Sequence, residues 1–296
     1  VVGLRLITAT GEVLDCDAER HSEVFNAARV SLGTLGIVTR VRLQNRNAFR
    51  LHRKEWMQNT EELLEDMERL IRENEHFEIN SLLHSDVSLA TALNPTDDTH
   101  TLPKHGGDTG KVRLLEIVHT YARSSPRLQA MALNFVARHL VGFDDVVDDS
   151  FRVFANVRDV RFNEMEYEIP AEAGPACLRE ILRTVREQNL NSYIPLEYRY
   201  VRGDDIPLSM FSGRDSCAIS VHQFYEMDHH DYFARIEPIF WKYEGRPHWG
   251  KLHSLNARQL AKLYPRWQEF LEVRRALDPS GRFLNGHLRS VFGIGC

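Results

Sequence analysis

The chain opens with alternating apolar and polar residues, the period of a β-strand. This run, Val2–Ile7, is separated by a turn at Thr10–Glu12 from a second alternating run at Val13–Leu14. Two such runs around a short turn predict a β-hairpin. A short helix is predicted over Ser22–Val30, followed by a further strand over Ile37–Leu43.

Downstream, the hydrophobic period changes repeatedly between that of a helix and that of a strand. The stretch Thr60–Glu73 carries one apolar stripe and predicts an amphipathic helix. The mixture of neighbouring strands and helices predicts an α+β fold, with a mostly antiparallel sheet covered by helices. The polar stretches Asn94–Gly110 and Asp144–Asp149 are predicted to be loops. The remaining predicted elements are strands over Phe77–His84, Arg113–Thr120, Phe162–Ile169, Ile194–Arg202 and Ser216–Glu226, and helices over Ser125–Leu140, from Gly174 onward, and over Asp231–Tyr243, Asn256–Tyr264 and Pro265–Leu277.

Composition narrows the class of protein. Hydrophobic residues make up 43% of the 296 residues, which is typical of a folded core. The formal net charge of −5 provides no basic field, so no nucleic-acid partner is predicted. No apolar run has the length of a membrane span, so the prediction is a soluble, cytoplasmic protein without indicated membrane association. Four widely spaced cysteines form no metal-binding pair: Cys16, Cys177, Cys217 and Cys296.

One predicted strand places two charged residues on the same face. In Leu196-Glu197-Tyr198-Arg199-Tyr200, the period of two separates Glu197 and Arg199 from their three apolar and aromatic neighbours. The guanidinium should keep the carboxylate ionised and could orient a ligand that carries hydroxyl groups. The alternative is a salt bridge on a solvent-facing side of the sheet.

Histidines supply the next candidates for chemistry. His222 lies in a predicted strand, and an adjacent strand could bring it beside Glu197, although a structural role is the alternative. The run His229-His230-Asp231 looks like a metal cluster, but its place at a helix start favours capping and solvation, and no metal site is predicted. Neither G-x-S-x-G nor H-E-x-x-H occurs in the sequence, so the common serine-hydrolase and zinc-peptidase motifs are missing.

Two glycine-containing stretches could lie beside a flat ligand. In Arg246-Pro247-His248-Trp249-Gly250-Lys251 the glycine permits close approach, and Lys251 provides a compact positive charge. In Gly33-Thr34-Leu35-Gly36-Ile37-Val38-Thr39, two glycines run directly into a strand, and their amides could face a phosphate. The alternatives are a surface loop with Trp249 folded onto the core, and a tight turn into a strand.

The motifs taken together resemble a known family. Gly33–Thr39 resembles the end of the FAD-binding domain in the vanillyl-alcohol-oxidase superfamily. Glu197-x-Arg199 resembles the sugar-1,4-lactone and alditol oxidases, a group that includes gulonolactone, arabinonolactone and xylitol-type oxidases. The resemblance covers essentially the whole chain and extends, in order, to Asp204-Asp205, Leu208-Ser209, Arg214-Asp215, His222, His248–Lys251 and Phe283-Leu284-Asn285.

The resemblance implies a domain layout and a reaction. Residues 1–45 would be the C-terminal part of a two-part FAD-binding domain, residues 46–245 a substrate-binding cap, and residues 246–296 a segment that returns to the flavin. The implied enzyme is an FAD-dependent oxidase or dehydrogenase of the D-arabinono-1,4-lactone oxidase type. It would oxidise a CH–OH group of a sugar lactone or polyol and pass the electrons to dioxygen or a carrier.

The resemblance also assigns roles to individual residues. Glu197, Arg199 and Lys251 would be catalytic, and the same three residues together with His222 would contact the substrate. The residues implied to contact the cofactor are Gly33, Gly36, Ile37, Val38, His248 and Lys251.

Two expectations compete with this interpretation. The chain begins within a strand pattern and lacks the family's glycine-rich N-terminal FAD subdomain, so it is expected to bind FAD weakly by itself and to be inactive alone. A non-catalytic cap or binding module is therefore the alternative function, and a histidine-based metal enzyme is the third. Flavin absorbance of the purified protein and metal analysis would distinguish them.

Overall fold

The protein is described by a computed structural model that defines residues 1–101, 117–118, 120–121, 125–139, 143–155 and 160–295. Its internal contacts divide the chain into two compact units. The first unit comprises Val1–Arg46, Arg202–Asp215 and Glu244–Cys296. The second comprises Asn47–Val201 and Ser216–Tyr243.

The first unit begins with a three-stranded antiparallel sheet in the order β2-β1-β3. Its strands are β1 Gly3–Ile7, β2 Val13–Cys16 and β3 Ile37–Arg42. The predicted hairpin is confirmed, because Leu6 lies opposite Leu14 in the antiparallel ladder. Both leucines are buried, as the period of two requires for the face that meets a core.

Four short helices complete the first unit in the described residues, together with the two-residue strand β11, Arg246–Pro247. The Asn256 side chain accepts hydrogen bonds from two backbone amides at the start of one helix, and the Asn285 side chain caps another by accepting from the single amide of Leu288. Phe270 and Phe292 stack with their ring centroids 5.6 Å apart and form part of the core. The helices span Ser22–Ala28, Ala257–Leu263, Trp267–Leu277 and Gly286–Phe292, the last of which was not predicted.

The second unit is built on an antiparallel sheet whose strands follow the order β8-β10-β9-β5-β6-β4-β7. Every neighbouring pair in this order is antiparallel, as predicted. The strands are β4 Arg50–Asn59, β5 His76–Ser81, β6 Val87–Thr96, β7 Asp145–Asp149, β8 Phe162–Pro170, β9 Leu196–Val201 and β10 Ser216–Phe224.

Helices cover the apolar face of this sheet. The helices Gly174–Glu187 and His230–Lys242 contact each other, and both pack on β8. The predicted stripe on the first of them is confirmed, because its leucine, isoleucine and valine side chains are buried. Further helices in the described part of this unit span Thr60–Glu65, Met67–Glu73, Pro126–His139 and Ser150–Phe154.

The loop prediction for Asp144–Asp149 is wrong, because Asp145–Asp149 forms the edge strand β7. In register, Lys54 of β4 lies opposite Asp145, and Arg50 lies opposite Asp149. The Nε2 atom of His52 also lies 2.5 Å from a carboxylate oxygen of Asp145, within hydrogen-bond distance. An acidic run therefore pairs with a basic strand, which is a cross-strand complement that a local pattern does not reveal.

The strands β4 and β6 were also not predicted, and β6 extends into the stretch assigned to a loop at Asn94. The strand predicted for Arg113–Thr120 lies mostly outside the described residues, and its described residues 117, 118 and 120 are helical. Most of the predicted loop Asn94–Gly110 lies outside as well. Among the described helices, none is both long enough and apolar enough to cross a lipid bilayer.

Candidate active site

One face of the large sheet is polar. Residues directly opposite each other in a ladder share a face, and Ser220 lies opposite both Glu166 and Glu197, while Arg199 lies opposite Glu78. Extending the period of two along each strand gives the set that we call the polar face. It comprises Glu164, Glu166 and Glu168 of β8, Ser220 and His222 of β10, Glu197 and Arg199 of β9, and Glu78 and Asn80 of β5.

The predicted pair of charges forms on this face. The Nη2 atom of Arg199 lies 3.5 Å from Oε2 of Glu197. The neighbouring residues Leu196 and Tyr198 are buried on the opposite face, as the period of two predicts. The Arg199 side chain keeps 39% of its exposure and that of Glu197 keeps 14%, so the arginine is accessible to a ligand.

A second carboxylate, that of Glu166, contacts the same guanidinium. Both carboxylate oxygens of Glu166 lie 3.5 Å from Arg199 Nη2, and Oε2 accepts a hydrogen bond of 2.8 Å from Ser220 Oγ. Only 6% of the Glu166 side chain is exposed. Arg199 is therefore bracketed by one buried and one partly accessible glutamate.

Burial and neighbouring charges on the polar face shift the pKa of Arg199 and that of Glu78. Burial alone would lower the pKa of Arg199, but Glu197, Glu166, Glu78 and Glu164 together raise it above its ordinary value. Burial and the neighbouring Glu197 raise the pKa of Glu78. The arrangement therefore keeps the arginine charged and favours the protonated form of Glu78.

His222 lies on the polar face but contacts a different carboxylate from the one predicted. Its Nδ1 donates a hydrogen bond to the carbonyl oxygen of Pro195 at 3.1 Å, and its Nε2 lies 3.3 Å from Oε1 of Glu164. The ring also packs edge-on against Phe162. On β10 the residue opposite Glu197 is Ser220, and His222 lies two residues further along the strand.

The stretch Arg246–Lys251 is anchored firmly within the first unit. The buried Arg246 donates hydrogen bonds to the carbonyl oxygens of Leu263, Met210 and Ser212. Trp249 donates from Nε1 to the carbonyl oxygen of Leu208 at 2.7 Å and stacks on a tyrosine ring of the C-terminal segment.

The two candidate residues of the loop are His248, which lies between the anchors Arg246 and Trp249, and Lys251, which follows them. The amide of Lys251 donates to the carbonyl oxygen of His248 at 3.0 Å, and the amide of Gly250 donates to Nδ1 of the same histidine at 3.1 Å. His248 and Lys251 are both half-buried. The loop is therefore a turn that its own amide hydrogen bonds close, with both candidate residues partly accessible to solvent.

The glycines before β3 have different structural causes. Gly36 has φ +151°, and a Cβ there would lie 2.6 Å from the carbonyl oxygen of Ile7, so this glycine is required by the packing of the chain on β1. Gly33 has φ +72° and open space around the position of a Cβ. Ile37 and Val38, which follow, are exposed.

The structure divides the predicted site residues between the two units. Glu197, Arg199 and His222 lie on the sheet of the second unit, whereas the cofactor candidates and Lys251 lie in the first. Their roles, and the labels of FAD-binding and cap domain, remain predictions.

Sequence reasoning missed the glutamates of β8 and β5. The signal was available in Glu164-Met165-Glu166-Tyr167-Glu168, where charged residues alternate with residues that are buried on the other face. Their proximity to Arg199 depends on the order and register of strands far apart in sequence, which the local pattern does not contain.

The histidine run before the last helix of the second unit behaves mainly as a helix start. Asp228 accepts hydrogen bonds from the backbone amide and from Nδ1 of His230, the first residue of the helix, whereas His229 occupies the N-cap position and makes no side-chain capping bond. Asp231 instead pairs with Arg235 one turn later. Ligand atoms of Asp228, His229 and His230 lie within 4.8 Å of one another, but the group is largely exposed.

Comparison with solved structures defines the class of fold. Cholesterol oxidase from B. sterolicum superposes with a TM-score of 0.73 over 99% of this chain and 69% of that chain, at 12% sequence identity. The predicted fold class, a mixed fold with a large antiparallel sheet and covering helices, is confirmed.

The sequence comparisons give the family. The chain belongs to the D-arabinono-1,4-lactone oxidase family, whose sequence model matches residues 41–291. It is 37% identical over 297 residues to the L-gulono-1,4-lactone dehydrogenase of Mycobacterium tuberculosis (strain ATCC 25618 / H37Rv), and 31% identical over 304 residues to the L-gulonolactone oxidase of Bos taurus. Each match covers 99% of this chain and 68% of the relative. The predicted resemblance and enzyme class, an FAD-dependent oxidoreductase of the arabinonolactone oxidase type, are confirmed.

Proposed function

We propose that this protein oxidises a CH–OH group of a sugar-1,4-lactone or related polyol, with FAD as the hydride acceptor. Dioxygen or an electron carrier would then reoxidise the cofactor. The observation that carries the proposal is the accessible Arg199, bracketed by two glutamates on a polar sheet face. The names of the relatives, a gulonolactone oxidase and a gulonolactone dehydrogenase, support a lactone as substrate.

Arg199 and Glu197 are suited to a neutral, polyhydroxylated ligand. A guanidinium donates several hydrogen bonds in a fixed plane, and a carboxylate accepts from hydroxyl groups, so the pair can orient adjacent oxygens of a sugar. Glu197 can also accept the proton of the hydroxyl group that is oxidised. His222 would line the same face, where Glu164 and the carbonyl of Pro195 fix its ring.

The first unit offers residues that fit FAD. The open space at Gly33 leaves room for close approach to the backbone, and Ile37 and Val38 follow it on an exposed strand. Lys251 and His248 lie on the anchored turn, where an ammonium group is suited to the negative charge that FAD acquires at its pyrimidine edge when it accepts a hydride. The cofactor would supply the hydride acceptor, and Lys251 would stabilise that charge.

Anaerobic bleaching of the flavin tests this function. We expect the full-length protein loaded with FAD to lose its flavin absorbance on addition of L-gulono-1,4-lactone or D-arabinono-1,4-lactone, with xylitol as the polyol comparison. Glu197→Gln should slow bleaching by about two to four powers of ten, the typical contribution of a positioned base. Arg199→Ala should weaken substrate binding by about 1.5–3 kcal/mol, as for one hydrogen bond to a charged group.

A matched pair of surface charges provides the control. Glu61 and Arg179 form an ion pair on the surface of the same unit, and Glu61→Gln and Arg179→Ala should leave bleaching unchanged. If no lactone or polyol bleaches the flavin, the proposed function is wrong. If bleaching occurs but both polar-face variants match the parent protein, the function stands and the site assignment is wrong.

A further inference from the structure

Glu166 is much less accessible to solvent than Arg199, the residue that it contacts. The Glu166 side chain is only 6% exposed, whereas that of Arg199 is 39% exposed. Ser220, which donates to Glu166, is fully buried. A ligand on the polar face could therefore reach Arg199, but Glu166 is too deeply placed to be a contact residue.

The Glu166 side chain is held in place by a contact that does not involve Arg199. Ser220 lies opposite Glu166 across the β8–β10 ladder, and its hydroxyl donates a hydrogen bond of 2.8 Å to Oε2. Both strands are in regular register at this point, so neither side chain depends on a loop. A buried carboxylate that accepts a hydrogen bond from a buried residue of the neighbouring strand has few alternative rotamers.

Arg199 is contacted at a single terminal nitrogen of its guanidinium group. Within the described residues, every hydrogen bond and ion pair of Arg199 runs through Nη2, at 3.5 Å from Glu166 and from Glu197. A guanidinium carries five N–H donors in one plane. Contacts at one nitrogen restrict the guanidinium plane, and no hydrogen bond from its other nitrogens to either glutamate is seen among the described residues.

We propose that Glu166, locked by Ser220, is a positioning residue that orients Arg199 for substrate. This inference rests on the proposed function only in naming a sugar lactone or polyol as the ligand. Holding the guanidinium in its binding orientation before substrate arrives reduces the entropy that is lost when substrate binds. The effect should therefore appear in substrate binding more than in the rate of the chemical step.

The orienting contact can be tested without any substrate. Arginine side-chain NMR of the full-length protein, with the Arg199 signal assigned by Arg199→Lys, reports rotation about the Nε–Cζ bond. We expect slow rotation in the parent protein and rotation at least about tenfold faster in Glu166→Gln, because the ionic contact is lost. Unchanged rotation in Glu166→Gln would overturn the proposal whatever the protein catalyses.

Kinetics then separate positioning from a structural role. Glu166→Gln should raise KM for the lactone about tenfold while kcat changes less than about threefold, and Ser220→Ala should give a smaller change of the same kind. In the Arg199→Ala background, Glu166→Gln should have no further effect on KM, because both changes act through one side chain. An equal effect in both backgrounds would mean that Glu166 does not act through Arg199.

The matched control is Glu237, a buried carboxylate of the helix His230–Lys242, which packs on the other face of the sheet. Glu237 is 4% exposed and accepts a hydrogen bond of 2.6 Å from the hydroxyl of Tyr167. Glu237→Gln should lower the melting temperature without changing KM or the Arg199 signal. If the Arg199 signal responds to Glu166→Gln while no lactone or polyol is oxidised by the parent, the orienting contact is real and the proposed function alone fails.

Discussion

At the scale of single residues, the polar face concentrates carboxylates around one guanidinium. Glu78 is one member whose ionisation is shifted, since burial and Glu197 both raise its pKa while Arg199 and Arg53 only partly offset them. A raised pKa in the folded state means that folding favours the protonated carboxyl group. Ionised Glu78 therefore opposes folding at neutral pH.

Replacing Glu78 by glutamine should consequently stabilise the protein at pH 7. The folded state binds more protons than the unfolded state above the ordinary glutamate pKa, so stability declines as the pH rises through that value toward the raised pKa. The Glu78→Gln variant escapes this decline. We expect its melting temperature to exceed that of the parent by roughly 1–3 °C at pH 7, and the two to converge near pH 4.

Glu61 supplies the control of opposite sign. The hydrogen bond from Arg179 lowers the pKa of Glu61, so Glu61→Gln should give no gain at pH 7 and, at most, a small loss. Thermal melts of both variants between pH 4 and pH 8 would measure this. A Glu78→Gln variant that is less stable than the parent at every pH would contradict the assignment.

What could be predicted at this scale depends on the range of the interaction. Glu197 and Arg199 are two residues apart on one strand, so their shared face follows from the period of two alone. Glu166 and Glu78 join them through pairings between β8, β10, β9 and β5. No local pattern specifies which distant strands become neighbours, which is why these carboxylates were missed.

At the scale of elements, helix ends in the first unit are defined by side-chain caps. Asn256 accepts from the amides of Arg258 and Gln259, while the Gln259 side chain accepts from the amide of Asn256, which completes a capping box. These reciprocal bonds satisfy backbone donors that a seven-residue helix cannot satisfy internally.

Asn256→Ala should therefore destabilise the protein by about 0.5–2 kcal/mol, the usual loss for an N-cap residue. Urea unfolding followed by far-UV circular dichroism would measure the change in free energy. Asn256→Asp retains the acceptor and should remain within a few tenths of a kcal/mol of the parent. Equal losses in both variants would show that the cap oxygen is not the source of stability.

Elements were predictable where their own pattern determined them. The helix Gly174–Glu187 was visible from its apolar stripe, and it buries that stripe. The strand β7 was not visible, because five residues that include three aspartates form a strand only beside the basic residues of β4. Charge complementarity across a ladder replaced the hydrophobic signal that marks most strands.

At the scale of the whole molecule, the second unit is interrupted by a segment that belongs to the first. Arg202–Asp215 leaves the sheet after β9 and returns to it at β10. The residues on either side, Val201 and Ser216, lie directly opposite each other in the ladder. The sheet therefore needs only a short turn at this point.

We predict that residues 47–243 fold alone when Arg202–Asp215 is replaced by Asn-Gly. This dipeptide favours the tight turn that joins adjacent antiparallel strands. The fragment should be monomeric in gel filtration and should unfold in one cooperative transition. The same fragment with Arg202–Asp215 retained should associate, because Leu208, buried in the first unit, would lack its surroundings.

The opposite result would be equally informative. A fragment with the Asn-Gly turn that shows no cooperative transition would mean that the second unit is not a folding domain. The division seen in the internal contacts would then describe packing only.

The interrupted chain path also has a consequence for synthesis on the ribosome. The second unit is complete once Tyr243 has been added, whereas the helix Ser22–Ala28 packs against Trp267–Leu277, which is translated later. Domains fold as units while the chain emerges from the ribosome. The large sheet can therefore form before the helices that pack against Val1–Arg46 have been synthesised. Val1–Arg46, although translated before the large sheet, would then reach its final structure after it, and during that interval it would be accessible to chaperones.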